Sequence, residues 1–297
     1  MTSPTTPSNQ PTQQLSTFSA IAIIVGIVIG AGIFKTPSMV AGVTGDAGWL
    51  IVAWVLGGVI SLAGALCYAE LATTYPHAGG DYHFLARAFG KPASFLYAWA
   101  KATVINTGSI ALLAFVFGDY MSKVVNLGPH STALWAVGVV VAMTLINLIG
   151  LHAASWVQTC LTMIEVTGLL CVAVAGIVLS GDAPASPSMF SSSPSLGMFG
   201  LAMVFVLLTY GGWNEAAYIS AEVRGGKRAI VPVIVISIMI LTLIYVLFNI
   251  AVLAGLGLSG LAGSKAVAAD LMGKAFGPWG EKMLGIFVAV AALTSIK

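Results

Sequence analysis

An all-α membrane protein that crosses the bilayer several times is the fold class that this sequence predicts, and two observations carry the prediction. Hydrophobic residues make up 58% of the 297-residue chain and charged residues only 7%, with a mean hydropathy of +0.99. Soluble domains are roughly a quarter charged, so this chain lacks the polar side chains that would cover a water-facing globule. The apolar residues also fall into runs of about 20 without the period-two alternation of barrel strands, which predicts transmembrane helices.

Seven complete apolar runs and part of an eighth follow a polar N-terminal tail. Residues 1–14 are rich in Pro, Thr and Gln and contain no Lys or Arg, so we interpret 1–17 as a disordered cytoplasmic tail rather than a secretory signal. Residues 18–297 are predicted to form a single transmembrane domain. The predicted spans are roughly 18–42, 49–74, 93–121, 133–151, 154–179, 197–221 and 230–257, with an eighth starting near Trp279.

The Lys and Arg residues of the loops predict the orientation, because cytoplasmic loops carry an excess of them. With the N-terminus in the cytoplasm, the inside loops hold Arg87, Lys91, Arg224, Lys227 and Arg228, and the outside loops hold Lys123, Lys265 and Lys274. We therefore predict a multi-pass protein of the inner (plasma) membrane. The chain stops at Lys297, near the middle of the eighth predicted span, so we expect either a truncated sequence or a last span that something else completes.

Several classes of site are not indicated. The cysteines Cys67, Cys160 and Cys171 lie in apolar runs without metal-ligand spacing, which favours buried structural thiols over a metal site. The chain has no basic block that would bind nucleic acid, and no zinc-binding His/Glu spacing or Gly-x-Ser-x-Gly elbow of an enzyme. No cofactor is expected, and the expected partners are the lipid bilayer and a transported substrate. The sequence leaves the oligomeric state open.

Glycines interrupt two of the predicted helices. Helix 1 contains Gly30 and Gly32, and helix 6 contains Gly211 and Gly212, each near the middle of an apolar span. Glycine disfavours helix, and unwinding exposes backbone N–H and C=O groups that a membrane tolerates only where they line a cavity or hold a ligand. One half-helix then offers N–H groups to a carboxylate, and the other offers carbonyls to an ammonium. Two interrupted helices at corresponding positions of two repeats indicate a transporter site.

Close helix packing is the alternative explanation for these glycines, because Gly26-x-x-x-Gly30 is also a helix-association pattern. A nucleotide site is not indicated. Lys35 stands where the third glycine of a dinucleotide fingerprint belongs, and no strand precedes the motif.

Three motifs carry a family resemblance. They are VIGAGIF at 28–34, ELATTYPHAGGDY at 70–82 with AFG at 88–90, and YGGWN at 210–214 followed by AEV at 221–223. The first is similar to the IIGSGIF of the amino acid–polyamine–organocation (APC) superfamily of permeases, and the others resemble that family's segments after helix 2 and in helix 6. The likeness is closest to the L-type, neutral amino acid branch. It runs from about Phe18 to the end of the chain and covers about the first two-thirds of a typical member.

The resemblance implies a LeuT-like inverted repeat with its substrate at the bilayer midplane. Helices 1–5, about 18–180, would form the first repeat, and helices 6–8, about 197–297, an incomplete second one. The implied function is secondary active transport of small neutral amino acids, by exchange or proton symport, through alternating access. The implied substrate-binding residues are Val28, Ile29, Gly30, Ala31, Gly32 and Ile33 of helix 1 and Leu208, Thr209, Gly211 and Trp213 of helix 6.

Within that set, the resemblance assigns different backbone groups to the two ends of the substrate. The N–H groups of Ala31, Gly32 and Ile33 would hold the carboxylate. The carbonyls of Val28 and Ile29, with those of Leu208 and Gly211, would hold the ammonium. A zwitterion matched by opposed helix ends needs no compensating charged side chain.

Side chains of helices 3 and 6 are implied to set selectivity and gating. On helix 3, Asn106 is the candidate contact, with Thr103 and Thr107 on neighbouring turns, and hydrogen bonding between helices is the alternative role. Leu208 stands where the L-type branch has a gating aromatic residue, and Phe205, one turn away, is the expected substitute. Trp213 has the bulk to shield the site, although core packing explains it equally well.

Glu165 stands on helix 5 where sodium-independent relatives carry a lysine, in the region that sodium occupies in sodium-coupled relatives. A carboxylate inside a membrane is costly and usually functional. Three roles remain open: proton coupling, an ion pair with Lys297 beside the hydroxyls of Thr294 and Ser295, and a protonated structural glutamate. A second functional hypothesis is also open, in which the truncated chain binds an amino acid or acts as a scaffold but does not transport.

Overall fold

The computed structural model describes residues 16–75, 77, 79–149, 155–178, 189–215 and 227–295, and all regular structure in these ranges is helical. Eleven helices are named here in chain order. They are α1 (Thr17–Val28), α2 (Thr36–Thr44), α3 (Ala47–Thr74), α4 (Gly80–Phe89), α5 (Lys91–Ala100), α6 (Asn106–Val124), α7 (Ser131–Ile149), α8 (Ser155–Val178), α9 (Leu196–Tyr210), α10 (Lys227–Gly263) and α11 (Val267–Ser295). Two 3-10 turns, Ala31–Phe34 and Trp213–Glu215, follow α1 and α9, and a π-helical turn, Lys101–Ile105, joins α5 to α6.

Each predicted span holds at least one helix, whereas α4 lies between the second and the third predicted span. Among the described residues, three helical segments are long and apolar enough to cross a membrane, Ala47–Leu71, Lys91–Val124 and Ala229–Gly263, and four shorter apolar helices accompany them. The first predicted span is divided between α1 and α2, and the sixth ends as a helix at Tyr210. Most of the N-terminal tail and the cations Arg224, Lys227 and Arg228 carry no described side chain, so the predicted tail and orientation stay predictions.

Two glycines bend the last two helices near the boundaries that the sequence predicts. Gly257 has φ +71 and divides the long span of α10 from a short helical end, and Gly277 has φ +68 and precedes Pro278 at the start of the eighth span. The segment between them is therefore short helices rather than open loop. Proline at the first position of a helix is favoured because its missing N–H has no partner there in any case.

The core lies where α10 packs against α1, α2, α3 and α8, and α11 packs against α6 and α8. Three aromatic side chains from three helices meet at its centre. Tyr210 lies 5.0 Å from Tyr245 and 6.1 Å from Trp54 between ring centroids, and Trp54 lies 5.7 Å from Tyr245. All three are fully buried, so the end of α9 is fixed against α3 and α10.

The start of α3 holds a distant loop through one carboxylate. Asp46 caps the helix by accepting from the N–H groups of Gly48 (2.8 Å) and Trp49 (3.1 Å). It also accepts from the N–H groups of Phe190 (3.1 Å) and Ser191 (2.8 Å). Burial raises the pKa of Asp46, but these and neighbouring hydrogen bonds outweigh it and lower the pKa to about 2. The carboxylate is thus ionised at any ordinary pH and anchors loop 189–192.

Candidate functional site

The first helix break lies at the predicted glycines. α1 ends at Val28, and the next two residues are extended: Ile29 has φ −72 and ψ 104, and Gly30 has φ −129 and ψ 178. A 3-10 turn, Ala31–Phe34, follows before α2 begins at Thr36. The prediction that helix 1 loses its hydrogen-bond ladder at this point is confirmed.

The second break lies at the other predicted glycine pair. α9 ends at Tyr210, Gly211 has ψ 159, and Gly212 has φ +108, a conformation that glycine adopts far more readily than other residues. The N–H of Gly211 donates to the carbonyl of Leu208 at 3.2 Å, which closes the last turn of α9. The 3-10 turn Trp213–Glu215 follows, so the regular α-helix of the sixth span ends at the predicted glycine pair.

The two breaks touch each other. A Cβ built on Gly212 would stand 3.4 Å from the carbonyl oxygen of Ile27 and 3.5 Å from the Cα of Val28. The hydroxyl of Tyr245 on α10 joins them from the other side, lying 3.0 Å from the carbonyl of Val28 and 3.4 Å from that of Thr209. The C-terminal ends of α1 and α9 are therefore held together around one buried phenol.

Free backbone donors collect at the start of the first 3-10 turn. The first hydrogen bond of that turn runs from the N–H of Ile33 to the carbonyl of Gly30, at 3.3 Å. The N–H groups of Gly30, Ala31 and Gly32 come before it, so the turn itself supplies them with no acceptor. Ile33 was also predicted to hold the carboxylate, but its N–H is already directed at Gly30.

A cavity of about 170 Å³ opens between the two breaks and α6. Six of the predicted substrate-binding residues line it: Val28, Gly30, Gly32, Leu208, Thr209 and Gly211. Ile29, Ala31 and Ile33 belong to the same turn but have fully buried side chains, so only their backbone remains for a ligand. Within the described residues, the lining contains no ionisable side chain.

Three predicted residues lie away from this cavity. Asn106 lines a separate cavity of about 230 Å³ together with Asp81 and Lys101. Trp213 packs edge-on against Tyr68, with ring centroids 5.2 Å apart. Phe205 is half-buried in the core, and its carbonyl accepts from the hydroxyl of Thr209 at 3.0 Å.

The structure adds residues that sequence reasoning missed. Ser109 and Leu112 of α6 line the cavity in the place expected for Asn106. Thr36 also lines it, and its hydroxyl lies 2.7 Å from that of Thr209, so the start of α2 is tied to the end of α9. The only signal for Ser109 was its position three residues after Asn106 on the same helix, and no pattern pointed to Tyr245.

The predicted coupling residues are placed only by their backbone. Glu165 lies on α8, and Thr294 and Ser295 lie at the end of α11, which packs against α8. Their side chains and Lys297 lie outside the described residues. The three roles predicted for Glu165 thus stay predictions.

Comparison with known proteins identifies the family. Residues 15–296 match the model of the amino acid permease family. The chain is 32% identical to the b(0,+)-type amino acid transporter 1 of Rattus norvegicus, over 98% of this chain and 61% of that protein. It is 30% identical to the human Asc-type amino acid transporter 1, over 93% of this chain and 53% of the relative.

A third relative has the same degree of likeness. The large neutral amino acids transporter small subunit 2 of Mus musculus is 30% identical over 95% of this chain and 54% of its own length. The chain therefore spans 61% or less of each of these three relatives. The resemblance seen in the three sequence motifs is confirmed, and the chain belongs to the amino acid permease family of the APC superfamily.

Proposed function

We propose that this chain is a secondary active transporter of small neutral amino acids, with a LeuT-like inverted repeat and its substrate held between the two helix breaks. The observation that carries the proposal is the contact between the breaks around a cavity whose described lining has no ionisable side chain. Non-helical backbone at membrane depth is tolerated where it lines a cavity or holds a ligand, and both breaks meet that condition.

The zwitterion would bind to backbone groups of opposite character. The N–H groups of Gly30, Ala31 and Gly32 face the substrate carboxylate, and the positive end of the following turn adds to the attraction. The carbonyls at the ends of α1 and α9, those of Val28, Ile29, Leu208 and Gly211, take the ammonium. Because Tyr245 already donates to Val28, the ammonium would share that oxygen through its second lone pair.

The side chain of the substrate would point toward α6. A volume of about 170 Å³ suits a small ligand, since pockets for drug-sized molecules begin at roughly 300 Å³. Ser109, Leu112 and Leu208 present one hydroxyl and two apolar groups there. Neither a cationic nor an anionic substrate side chain would find a counter-charge in the described lining, which favours neutral amino acids.

Glu165 is the candidate coupling residue, and its three predicted roles (proton coupling, an ion pair with Lys297 and a protonated structural glutamate) stay open. Flux by exchange and flux by proton symport stay open with them. The names of the relatives describe amino acid transporters of the b(0,+), Asc and large neutral types, which agrees with an amino acid substrate. We place the protein in the plasma membrane. We place its N-terminus in the cytoplasm because the predicted inside loops carry more Lys and Arg residues than the outside loops. We also infer that the chain transports its ligand rather than transforming it.

Reconstitution into proteoliposomes tests the proposal. Uptake of a labelled panel of neutral, acidic and basic amino acids would be compared with protein-free vesicles, with and without a pH gradient. We expect saturable uptake of small neutral amino acids and weak competition by charged ones. Binding without uptake would favour the second hypothesis, a binding or scaffold protein, whereas the absence of any binding would overturn the substrate assignment.

A further inference from the structure

A cluster of polar contacts fixes the far end of the 3-10 turn Ala31–Phe34. Lys35 follows this turn directly, and its Nζ lies 2.6 Å from the Oδ2 of Asp119 on α6. The same Nζ donates to the carbonyl of Lys265 at 3.0 Å. The side chains of Lys35 and Asp119 are only 20% and 9% exposed, so this ion pair is screened much less than one on an open surface.

The next residue on α6 grips the turn itself. The hydroxyl of Tyr120 donates to the carbonyl of Phe34 at 2.9 Å and accepts from the N–H of Ala268 at 3.2 Å. Asp119 completes its own pairing with the hydroxyl of Thr132 on α7, at 3.1 Å. Two successive residues of α6 therefore hold two successive residues at the end of the binding turn.

The start of α11, which carries the Ala268 N–H that contacts Tyr120, is itself tied to α6. Lys123 lies one turn after Tyr120, and its Nζ lies 2.7 Å from the Oδ1 of Asp270 and 3.1 Å from the Oε1 of Glu281. The hydroxyl of Ser264 donates to the other oxygen of Asp270 at 2.6 Å. The start of α11 is thus held in place by a second charged group on the same helix.

We propose that Lys35, Asp119 and Tyr120, named here the clamp, form a gate at the α6 end of the 3-10 turn Ala31–Phe34. When the gate is shut, the clamp positions this turn, which is the binding turn of the proposed site. The proposal rests on the proposed function, since the turn is assigned to the substrate carboxylate there. A four-residue 3-10 turn has poor hydrogen-bond geometry and little stability of its own. Its direction therefore depends on what holds its end, and the clamp supplies that hold.

Opening this side would separate Phe34 and Lys35, at the end of the binding turn, from α6, and the clamp opposes that motion. Hydrogen bonds to charged groups contribute more than neutral ones, so losing the ion pair shifts an open–shut equilibrium by about tenfold or more. The clamp residues are positioning residues, because none of them lines the cavity. By the predicted orientation, this is the extracellular side.

Accessibility of the cavity from each side of the membrane tests the gate. The reporter is Ser109→Cys, which places a thiol on the cavity, in a parent whose own cysteines at 67, 160 and 171 are replaced by alanine. A membrane-impermeant maleimide is applied to right-side-out and inverted vesicles. We expect Lys35→Met and Asp119→Asn to raise the labelling rate about tenfold from the Lys35 side and not from the other side.

Matched variants separate the gate from general damage to the fold. Lys265→Met removes a neighbouring lysine that contributes only its carbonyl to the clamp, and it should label like the parent. The exchanged pair, Lys35→Asp with Asp119→Lys, should return labelling toward the parent rate. Tyr120→Phe keeps the ring and removes the hydroxyl, so it should raise labelling less than either charge variant.

Each outcome decides one of the two proposals. Labelling that is unchanged in both charge variants, or raised equally from both sides, overturns the gate. If the two folded charge variants label faster from the Lys35 side while the parent binds no amino acid, the gate stands and the substrate assignment fails. If a charge variant is not monodisperse, Tyr120→Phe is the deciding variant. Labelling of Tyr120→Phe at the parent rate then overturns the gate proposal.

Discussion

Gly212 is the position at which the two helix breaks touch, and replacing it with alanine tests whether that contact sets the site. Its φ of +108 lies in a region that side chains with a Cβ rarely adopt. Backbone strain of this kind costs on the order of 1–3 kcal/mol. The new Cβ would lie in ordinary van der Waals contact with the carbonyl oxygen of Ile27 at 3.4 Å and the Cα of Val28 at 3.5 Å, so the expected cost comes from the backbone conformation and not from a steric clash.

Gly42 on α2 supplies a matched control. It lies inside a regular helix, and nothing stands within 4 Å of the Cβ that alanine would add. Alanine is favoured over glycine in a helix by up to about 1 kcal/mol, so Gly42→Ala should hold or raise stability. The same chemical change is therefore expected to act in opposite directions at the two sites.

Thermal unfolding of the purified protein, with and without a neutral amino acid, provides the measurement. A loss of 1 kcal/mol lowers Tm by roughly 2–4 °C in a chain of this size class, so Gly212→Ala should lower it by about 2–12 °C. It should also reduce the rise in Tm that ligand gives the parent, because relief of the strained φ would change the backbone at 211–212, where Gly211 lines the proposed site. A Gly212→Ala protein that matches Gly42→Ala in both Tm and ligand response would refute the reasoning.

Three further predictions concern groups outside the glycines. Tyr245→Phe leaves the buried carbonyl of Val28 without its donor, which should cost roughly 1–3 kcal/mol of stability and lower Tm by about 2–12 °C. A Tyr245→Phe protein as stable as the parent would contradict this. Burial raises the pKa of Asp46, but hydrogen bonds outweigh it and lower the pKa from an ordinary 3.8 to about 2. The stabilisation that the Asp46 carboxylate provides is therefore fully present above about pH 4 and is lost as the pH falls through 2. Hydrogen exchange in loop 189–192 should thus rise over that window in the parent and stay flat in Asp46→Asn. Glu165→Gln should abolish the pH dependence of uptake if this residue carries the proton, and an unchanged pH profile would remove that role.

The positions of the helices and of their breaks could be predicted from sequence because both depend on local properties. Apolar runs of membrane length specify spans, and paired glycines mark where the helix is weakest. The break at Gly30 and the end of α9 at Tyr210 follow from these signals alone. The kinks at Gly257 and Gly277 fall at the predicted span boundaries for the same reason.

The residue that α6 offers to the cavity could not be predicted in this way. A π-helical turn, Lys101–Ile105, precedes α6, and it contains no glycine or proline from which it could be predicted. Such a turn has a wider hydrogen-bond spacing than the α-helix, so it rotates the residues that follow relative to a regular 3.6-residue repeat. Asn106 comes directly after the turn and lines another cavity, whereas Ser109 lines the cavity between the breaks.

The buried tyrosines explain how the fold tolerates carbonyls that the two helix breaks leave without helical donors. Each break leaves carbonyls without helical donors, which is costly where water is absent. The hydroxyl of Tyr245 reaches the carbonyls of Val28 and Thr209, and the hydroxyl of Tyr120 reaches that of Phe34.

These donors come from α10 and α6, which approach the breaks from different directions. The two helix ends are therefore stabilised by the protein itself, and the proposed substrate does not have to supply the missing hydrogen bonds to keep the fold intact. If the proposed substrate binds here, its departure leaves the carbonyls of Val28 and Phe34 paired with tyrosine hydroxyls, so a ligand of moderate affinity can leave again, as the proposed transport cycle requires.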